Sequence, residues 1–98
     1  MSATVAAEIL SASSFYEGVR EGLGLELERE IDATLASLSE NPLLYPREFG
    51  PVRRALIGRF KQVIFYVVRA DAVVVVEVRD ARREPPDLED RGYRKGDQ

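Results

Sequence analysis

The sequence contains 98 residues, 45% hydrophobic and 32% charged, proportions typical of one small globular domain. Cysteine and histidine are absent, which excludes disulfides, thiolate zinc sites, a cysteine nucleophile and the usual general base near pH 7. We therefore expect no metal site and no cofactor. The longest apolar run is only six residues, Val63–Val68, and residues 1–4 lack the basic and apolar regions of a signal peptide. We expect a cytoplasmic protein with no membrane contact.

Charge is distributed unevenly along the chain. The net charge of −3 combines −6 over residues 1–45, +5 over 46–83 and −2 over 84–98. Twelve of the fourteen basic residues are arginine, the side chain suited to bidentate contacts with carboxylate or phosphate. The middle segment is therefore either a set of solvated faces or a basic surface for an acidic protein or a nucleic acid.

Two helices are predicted in the first half. Apolar side chains at steps of three and four form one helical face over residues 5–19, with Ser2 and Thr4 as alternative N-caps. Two glycines within residues 22–24 favour a turn. The second helix is predicted from about residue 25 to about residue 40, where an Asn-Pro pair stops it. The short link predicts an antiparallel helical hairpin.

The second half has the composition of β-strands. Residues 41–51 contain three prolines and are predicted to be a loop, and Ala70-Asp71 suits a tight hairpin turn. The predicted strands are 52–58, 63–69 and 72–79.

The last predicted strand carries the strongest β signal. Its alternation places Val74, Val76 and Val78 on one face, which we expect to lie against the helices. Because an open valine-rich edge promotes aggregation, we expect this strand at the centre of the sheet or under a partner. The sequence thus predicts an α+β fold, with a helical hairpin packed on a three-stranded antiparallel sheet. The domain covers residues 1–83, and a polar tail covers 84–98.

Six short motifs follow one another along the chain. They are Ala7-Glu8-Ile9-Leu10 leading to Phe15-Tyr16-Glu17, Gly22-Leu23-Gly24, Asn41-Pro42-Leu43-Leu44-Tyr45-Pro46, Arg53-Arg54-Ala55-Leu56, Phe60 with Ile64-Phe65-Tyr66, and Arg82-Arg83-Glu84-Pro85. In this order they resemble the RelE/ParE superfamily of type II toxins, in particular its ParE-like plasmid-stabilisation group, over roughly residues 6–88.

The chain departs from the family pattern at three places. Family members usually begin with a β-strand, but only three or four residues precede the first helix here, so that strand is predicted to be missing or vestigial. One sheet edge is then bare or filled by another chain. Lys61-Gln62 stands where the family often has Pro-Tyr, and Asp80 stands where it often has His.

The resemblance implies the toxin of a toxin–antitoxin pair, and the relatives differ in target. RelE-like members cleave mRNA on the ribosome with basic and tyrosine side chains, of which this chain keeps Arg54 and Arg82 by position. ParE-like members act by binding DNA gyrase. Because Leu56, Val63 and Leu88 fall near the other catalytic positions, the gyrase poison is favoured over an enzyme. An mRNA endonuclease and a degenerate, non-toxic antitoxin-binding module are the alternatives.

Candidate site residues come from the resemblance and the basic segment. Target binding is assigned to Arg53, Arg54, Arg79, Arg82 and Arg83. Antitoxin binding is assigned to Arg47, Arg59, Lys61 and Tyr66. The implied partners are a cognate antitoxin, usually a DNA-binding dimer with a wrapping C-terminal segment, and DNA gyrase. No sequence-specific DNA binding by this chain is expected.

Several of these residues also have a structural interpretation. Arg79 and Glu77 suit an ion pair on one sheet face. Arg82 and Arg83 suit capping or pairing with Asp80 and Glu84. Neighbouring arginines at 53 and 54 point to opposite faces of a strand, so at most one of them faces a given partner.

Overall fold

A helical hairpin forms the first half of the computed structural model of the protein, which describes residues 1–84 and 86–96. Helix α1 (Ala3–Val19) begins where the Ser2 side chain accepts a hydrogen bond from the Val5 N–H at 3.1 Å, so Ser2 is the N-cap. Helix α2 (Leu23–Glu40) follows Gly22, whose φ of 87° reverses the chain. Both predicted helices are confirmed.

The two helices approach closely at Gly24. A Cβ atom on this residue would lie 2.5 Å from the carbonyl oxygen of Ser13, so only glycine fits without movement. The carboxylate of Glu17 in α1 accepts hydrogen bonds from the N–H groups of Gly22 at 2.9 Å and Gly24 at 3.0 Å. These bonds satisfy N–H groups at the start of α2, which have no partner within the helix.

Four antiparallel strands follow, not the three that the sequence predicts. They lie in the order β1-β2-β3-β4 and are β1 (Arg47–Phe49), β2 (Val52–Ile57), β3 (Gln62–Arg69) and β4 (Ala72–Asp80). The additional strand is β1, which pairs with β2 within the predicted loop. Gly50 makes this pairing feasible because its φ of 54° reverses the chain within two residues.

A β-bulge in β4 changes which side chains share a face. Val75 lies opposite Tyr66 and Glu77 lies opposite Phe65, so Val76 is an extra residue on β4. The bulge places Val76 and Glu77 on the same side of the sheet. A strict alternation through β4 is therefore interrupted.

The predicted common face of three valines is wrong because of this bulge. Val78 packs in the core under the helices, whereas Val76 packs on the opposite face, which we call the outer face. Of the two positions expected for β4, the central one is wrong, because among the described residues β4 pairs only with β3 and lies at a sheet edge. The residues after β4 return to the sheet and so reduce its exposure.

Both faces of the sheet are covered by apolar side chains. The core under the helices contains Val5, Leu27, Ile31, Leu38, Ala55, Ile57, Phe60, Ile64, Tyr66 and Val78. The core on the outer face contains Val52, Val63, Phe65, Val67, Val76 and Leu88. Leu88 is only 5% exposed and Tyr93 packs beside it, so the polar segment after β4 forms a third layer.

Neither helix in the described part of the chain combines the length and apolar character needed to cross a bilayer.

Substitution of Gly50 by alanine tests how the third layer is held. A Cβ atom at Gly50 would lie 2.0 Å from the carbonyl oxygen of Arg94, in addition to the strain of a positive φ. Gly22→Ala is the matched control, because its φ is 87° and its Cβ would meet nothing within 4 Å. Both variants lose about 1–2 kcal/mol of unfolding free energy from backbone strain. Gly50→Ala loses more, and its amides near Leu88 and Tyr93 exchange faster. Equal losses and unchanged exchange would contradict this account.

Candidate functional site

Three arginines from separate parts of the chain line one cleft on the outer face, of about 270 Å³. Arg54 lies on β2, Arg79 on β4 and Arg83 just beyond β4, and we call this site the arginine cleft. Register explains the convergence: Arg54 lies opposite Phe65 and Arg79 opposite Val63, both outer-face residues. The apolar part of the lining is Phe49, Val63, Phe65, Ala81, Pro86 and Leu88, and the acidic part is Glu48, Asp80 and Glu84.

Arg79 is held in place by the protein itself. Its Nε lies 3.0 Å from Oε2 of Glu77, whose side chain is only 8% exposed. This contact is an ion pair without hydrogen-bond alignment, because neither atom has a hydrogen-bond partner among the described residues. Arg79 Nη1 also donates to the carbonyl oxygen of Glu84 at 2.6 Å. The structural interpretation of Arg79 and Glu77 as an ion pair is thus confirmed.

Arg54 and Arg83 differ from Arg79 in having no such partner. Within residues 1–84 and 86–96, neither guanidinium takes part in a hydrogen bond or an ion pair. Arg54 is half-buried and Arg83 is exposed, and both line the cleft. These two cations are therefore available to a bound anion.

Arg82 is bound to Asp80 and is not among the described residues that line the arginine cleft. Its Nη2 lies 2.6 Å from Oδ2 of Asp80, and its Nε and backbone N–H donate to Oδ1 at 3.0 and 2.8 Å. These bonds, the guanidinium bond first, lower the pKa of Asp80 to about 2, and the carboxylate raises the pKa of Arg82. The interpretation of Arg82 as a partner of Asp80 is confirmed. Among the described residues that line the cleft, Arg54 is present and Arg82 is not.

Arg53 and Tyr66 lie on the helix-facing side and hold the loop before β1. Arg53 Nη1 donates to the carbonyl oxygen of Tyr45, and the Tyr66 hydroxyl donates to that of Pro42 at 2.9 Å. Tyr66 is 0% exposed, and burial raises the pKa of its hydroxyl. The assignment of Tyr66 to an antitoxin-binding surface does not fit this burial, since the ring belongs to the core.

The other residues assigned to antitoxin binding are exposed. Arg59 pairs with Glu26 at 2.9 Å, and its guanidinium lies 5.1 Å from the centroid of the Phe60 ring. Lys61 adopts a left-handed φ of 53°, and its carbonyl oxygen accepts from the Ala81 N–H at 2.7 Å. Arg47 lies on the edge strand β1. Two of these three cations, Arg59 and Lys61, thus lie in the turn between β2 and β3.

Sequence reasoning missed the role of Arg91. Its Nη2 donates to Oε1 of Glu77 at 2.6 Å, which makes it the second cation beside this buried carboxylate. A signal was present in the sequence, because an acidic residue inside a valine-rich strand requires a cation from elsewhere. The sequence did not indicate which of the distant cations would supply it.

The described residues contain no cluster of acidic side chains suited to a metal ion. Comparison with known proteins finds no family model and no curated protein that matches this chain.

The Asp80–Arg82 pair makes a pH-dependent contribution to stability. Because folding lowers the pKa of Asp80 from 3.8 to about 2, the contribution is complete above pH 3.8 and is lost as pH falls towards 2. Arg82→Ala raises the pKa of Asp80 only part of the way to 3.8, since the backbone N–H of residue 82 still donates. Arg83→Ala, which removes only a distant charge, produces a smaller rise. The Asp80 carboxyl titration is measured by NMR, and an unchanged midpoint in Arg82→Ala would refute this assignment.

Proposed function

We propose that this chain is a type II toxin of the ParE kind, which inhibits growth by binding DNA gyrase and is neutralised by a cognate antitoxin. The observation that carries the proposal is the arginine cleft, where the half-buried Arg54 and the exposed Arg83 form no hydrogen bond or ion pair with any other described residue. A guanidinium binds carboxylate or phosphate through two parallel hydrogen bonds. A DNA-bound enzyme presents both kinds of group.

The electrostatics support binding over acid–base catalysis. A general base or acid acts best when its pKa lies near the working pH. The pKa of Glu26 and that of Asp80 are lowered, whereas those of Tyr66 and Arg82 are raised, so each of these groups moves away from neutrality. Of these four groups only Asp80 lines the arginine cleft, and its pKa of about 2 is poorly matched to proton transfer near neutral pH.

The architecture agrees with the resemblance at the level of element order. A helical hairpin precedes an antiparallel sheet, and the paired arginines lie on β2 while Arg82 and Arg83 follow β4. The same arrangement weakens the nuclease alternative, because Arg82 is bound to Asp80 and Arg54 faces the cleft. This supports a role for Arg54 and Arg83 in binding a macromolecular partner.

A gyrase assay with a double variant tests the proposal. The purified chain is expected to inhibit supercoiling and to trap DNA breaks, and Arg54→Ala with Arg83→Ala is expected to be at least about tenfold weaker. A hydrogen bond to a charged group contributes about 1.5–3 kcal/mol, and tenfold corresponds to about 1.4 kcal/mol. Arg29→Ala with Arg69→Ala is the control, because it removes the same charge from exposed positions outside the cleft.

The same preparation separates the alternatives. Ribosome-dependent cuts in mRNA with gyrase unaffected would replace the proposal with the endonuclease. Antitoxin binding without either effect would indicate the degenerate module. Equal potency of the cleft variant and the wild type on gyrase would remove Arg54 and Arg83 from the target surface.

A further inference from the structure

The open side of β4 forms one edge of the sheet. β4 pairs with β3 on one side only, so its other side presents backbone N–H and C=O groups. Such a row is a template for pairing with another strand. The segment between Asp71 and Glu77 carries no charge and contains four consecutive valines, the composition that favours pairing between strands of different chains.

Two side chains from distant parts of the chain close the second half of this edge. Oε1 of Glu8 in α1 accepts a hydrogen bond from the Val78 N–H at 3.0 Å. Arg91 Nη1 donates to the carbonyl oxygen of Val76 at 2.6 Å. The two side chains also contact each other, with Arg91 Nη2 at 3.4 Å from Oε2 of Glu8. We call this arrangement the Glu8–Arg91 latch.

The bond from Arg91 to Glu77 strengthens the latch. Arg91 Nη2 lies 2.6 Å from Oε1 of Glu77, a carboxylate that is only 8% exposed. Opening the latch therefore removes one of the two cations from a buried charge, which is costly. A strand that paired with Val76 and Val78 would have to displace both side chains of the latch.

Among the described residues, no side chain forms a hydrogen bond with the backbone of the first half of the edge, residues 72–75. After a two-residue turn at Ala70-Asp71, the alternation of an antiparallel ladder directs the backbone groups of Val73 and Val75 away from β3. Val74 between them is 44% exposed. Four residues, 72–75, therefore remain available, fewer than the usual strand of about five to six residues.

We propose that the Glu8–Arg91 latch prevents β4 from pairing edge to edge with β4 of a second copy of this chain. A second copy is the fitting occupant because identical strands related by a two-fold axis pair antiparallel, valine against valine. A neutral valine run requires no complementary charge from its partner. The latch shortens the usable edge from nine residues to four and so keeps the chain monomeric.

The test removes the latch and measures mass. Glu8→Ala with Arg91→Ala is expected to double the solution mass from the 11.0 kDa of one chain, by size exclusion with light scattering. Adding Val74→Lys is expected to restore the monomer, because a charged side chain on an edge strand opposes pairing. The control is Glu21→Ala with Arg29→Ala, exposed residues of the same charges, which is expected to leave the mass unchanged.

Amide exchange locates the contact. In the associated latch variant the Val73 and Val75 amides should become protected. Association that Val74→Lys does not reverse, association without this protection, or a folded double variant that stays monomeric would overturn the proposal. If the double variant does not fold, Glu8→Ala alone decides: faster exchange of the Val78 amide and weak dimerisation support the latch, and wild-type exchange and mass refute it.

Discussion

The buried carboxylate of Glu77 is the constraint on which the outer face of the sheet depends. Its side chain is 8% exposed, and an unpaired charge at such a position costs several kcal/mol. Arg79 neutralises it from the same strand and is thereby fixed as one wall of the arginine cleft. Arg91 neutralises it from the segment after β4, so that segment has to return across the sheet. Arg79 and Arg91 are thereby engaged with Glu77, whereas the guanidiniums of Arg54 and Arg83 form no hydrogen bond or ion pair within residues 1–84 and 86–96.

The bulge at Val76 explains how one strand serves two cores. Val73 and Val75 face the helices at odd positions, and Val78 faces them at an even position, which a regular strand does not allow. One extra residue restores the register and turns Val76 and Glu77 together to the outer face. The same irregularity leaves Val76 O and Val78 N directed outward, where Arg91 and Glu8 bind them. The bulge therefore connects core packing to the state of the sheet edge.

Local signals were sufficient for the helices and for β2 to β4, because periodic apolar residues, Asn-Pro and runs of β-branched residues act within a few positions. They were insufficient for β1, since three residues between prolines carry no measurable alternation. The latch joins Arg91 to Glu8 across 83 residues and to Glu77 across 14, and no local pattern specifies such partners. For the same reason, the sequence did not show which of the five arginines assigned to target binding would be paired within the protein. In the part of the chain that the structure describes, contacts tie Arg79 and Arg82 to acids and direct Arg53 to the loop before β1, whereas they engage neither the Arg54 nor the Arg83 guanidinium.

The segment after β4 couples the arginine cleft to the sheet edge. Glu84, Pro86 and Leu88 line the cleft, and Arg91, three residues further on, closes the edge. Both features require this segment to be docked, so any ligand that stabilises the docked state in the cleft also stabilises the closed edge. By reciprocity, a strand that opened the edge would weaken binding in the cleft by the same factor. Ligand binding in the cleft and pairing of the open edge with a second strand therefore favour opposing states of this segment, and Glu77 contributes to the balance because it is the charge that docking of Arg91 neutralises.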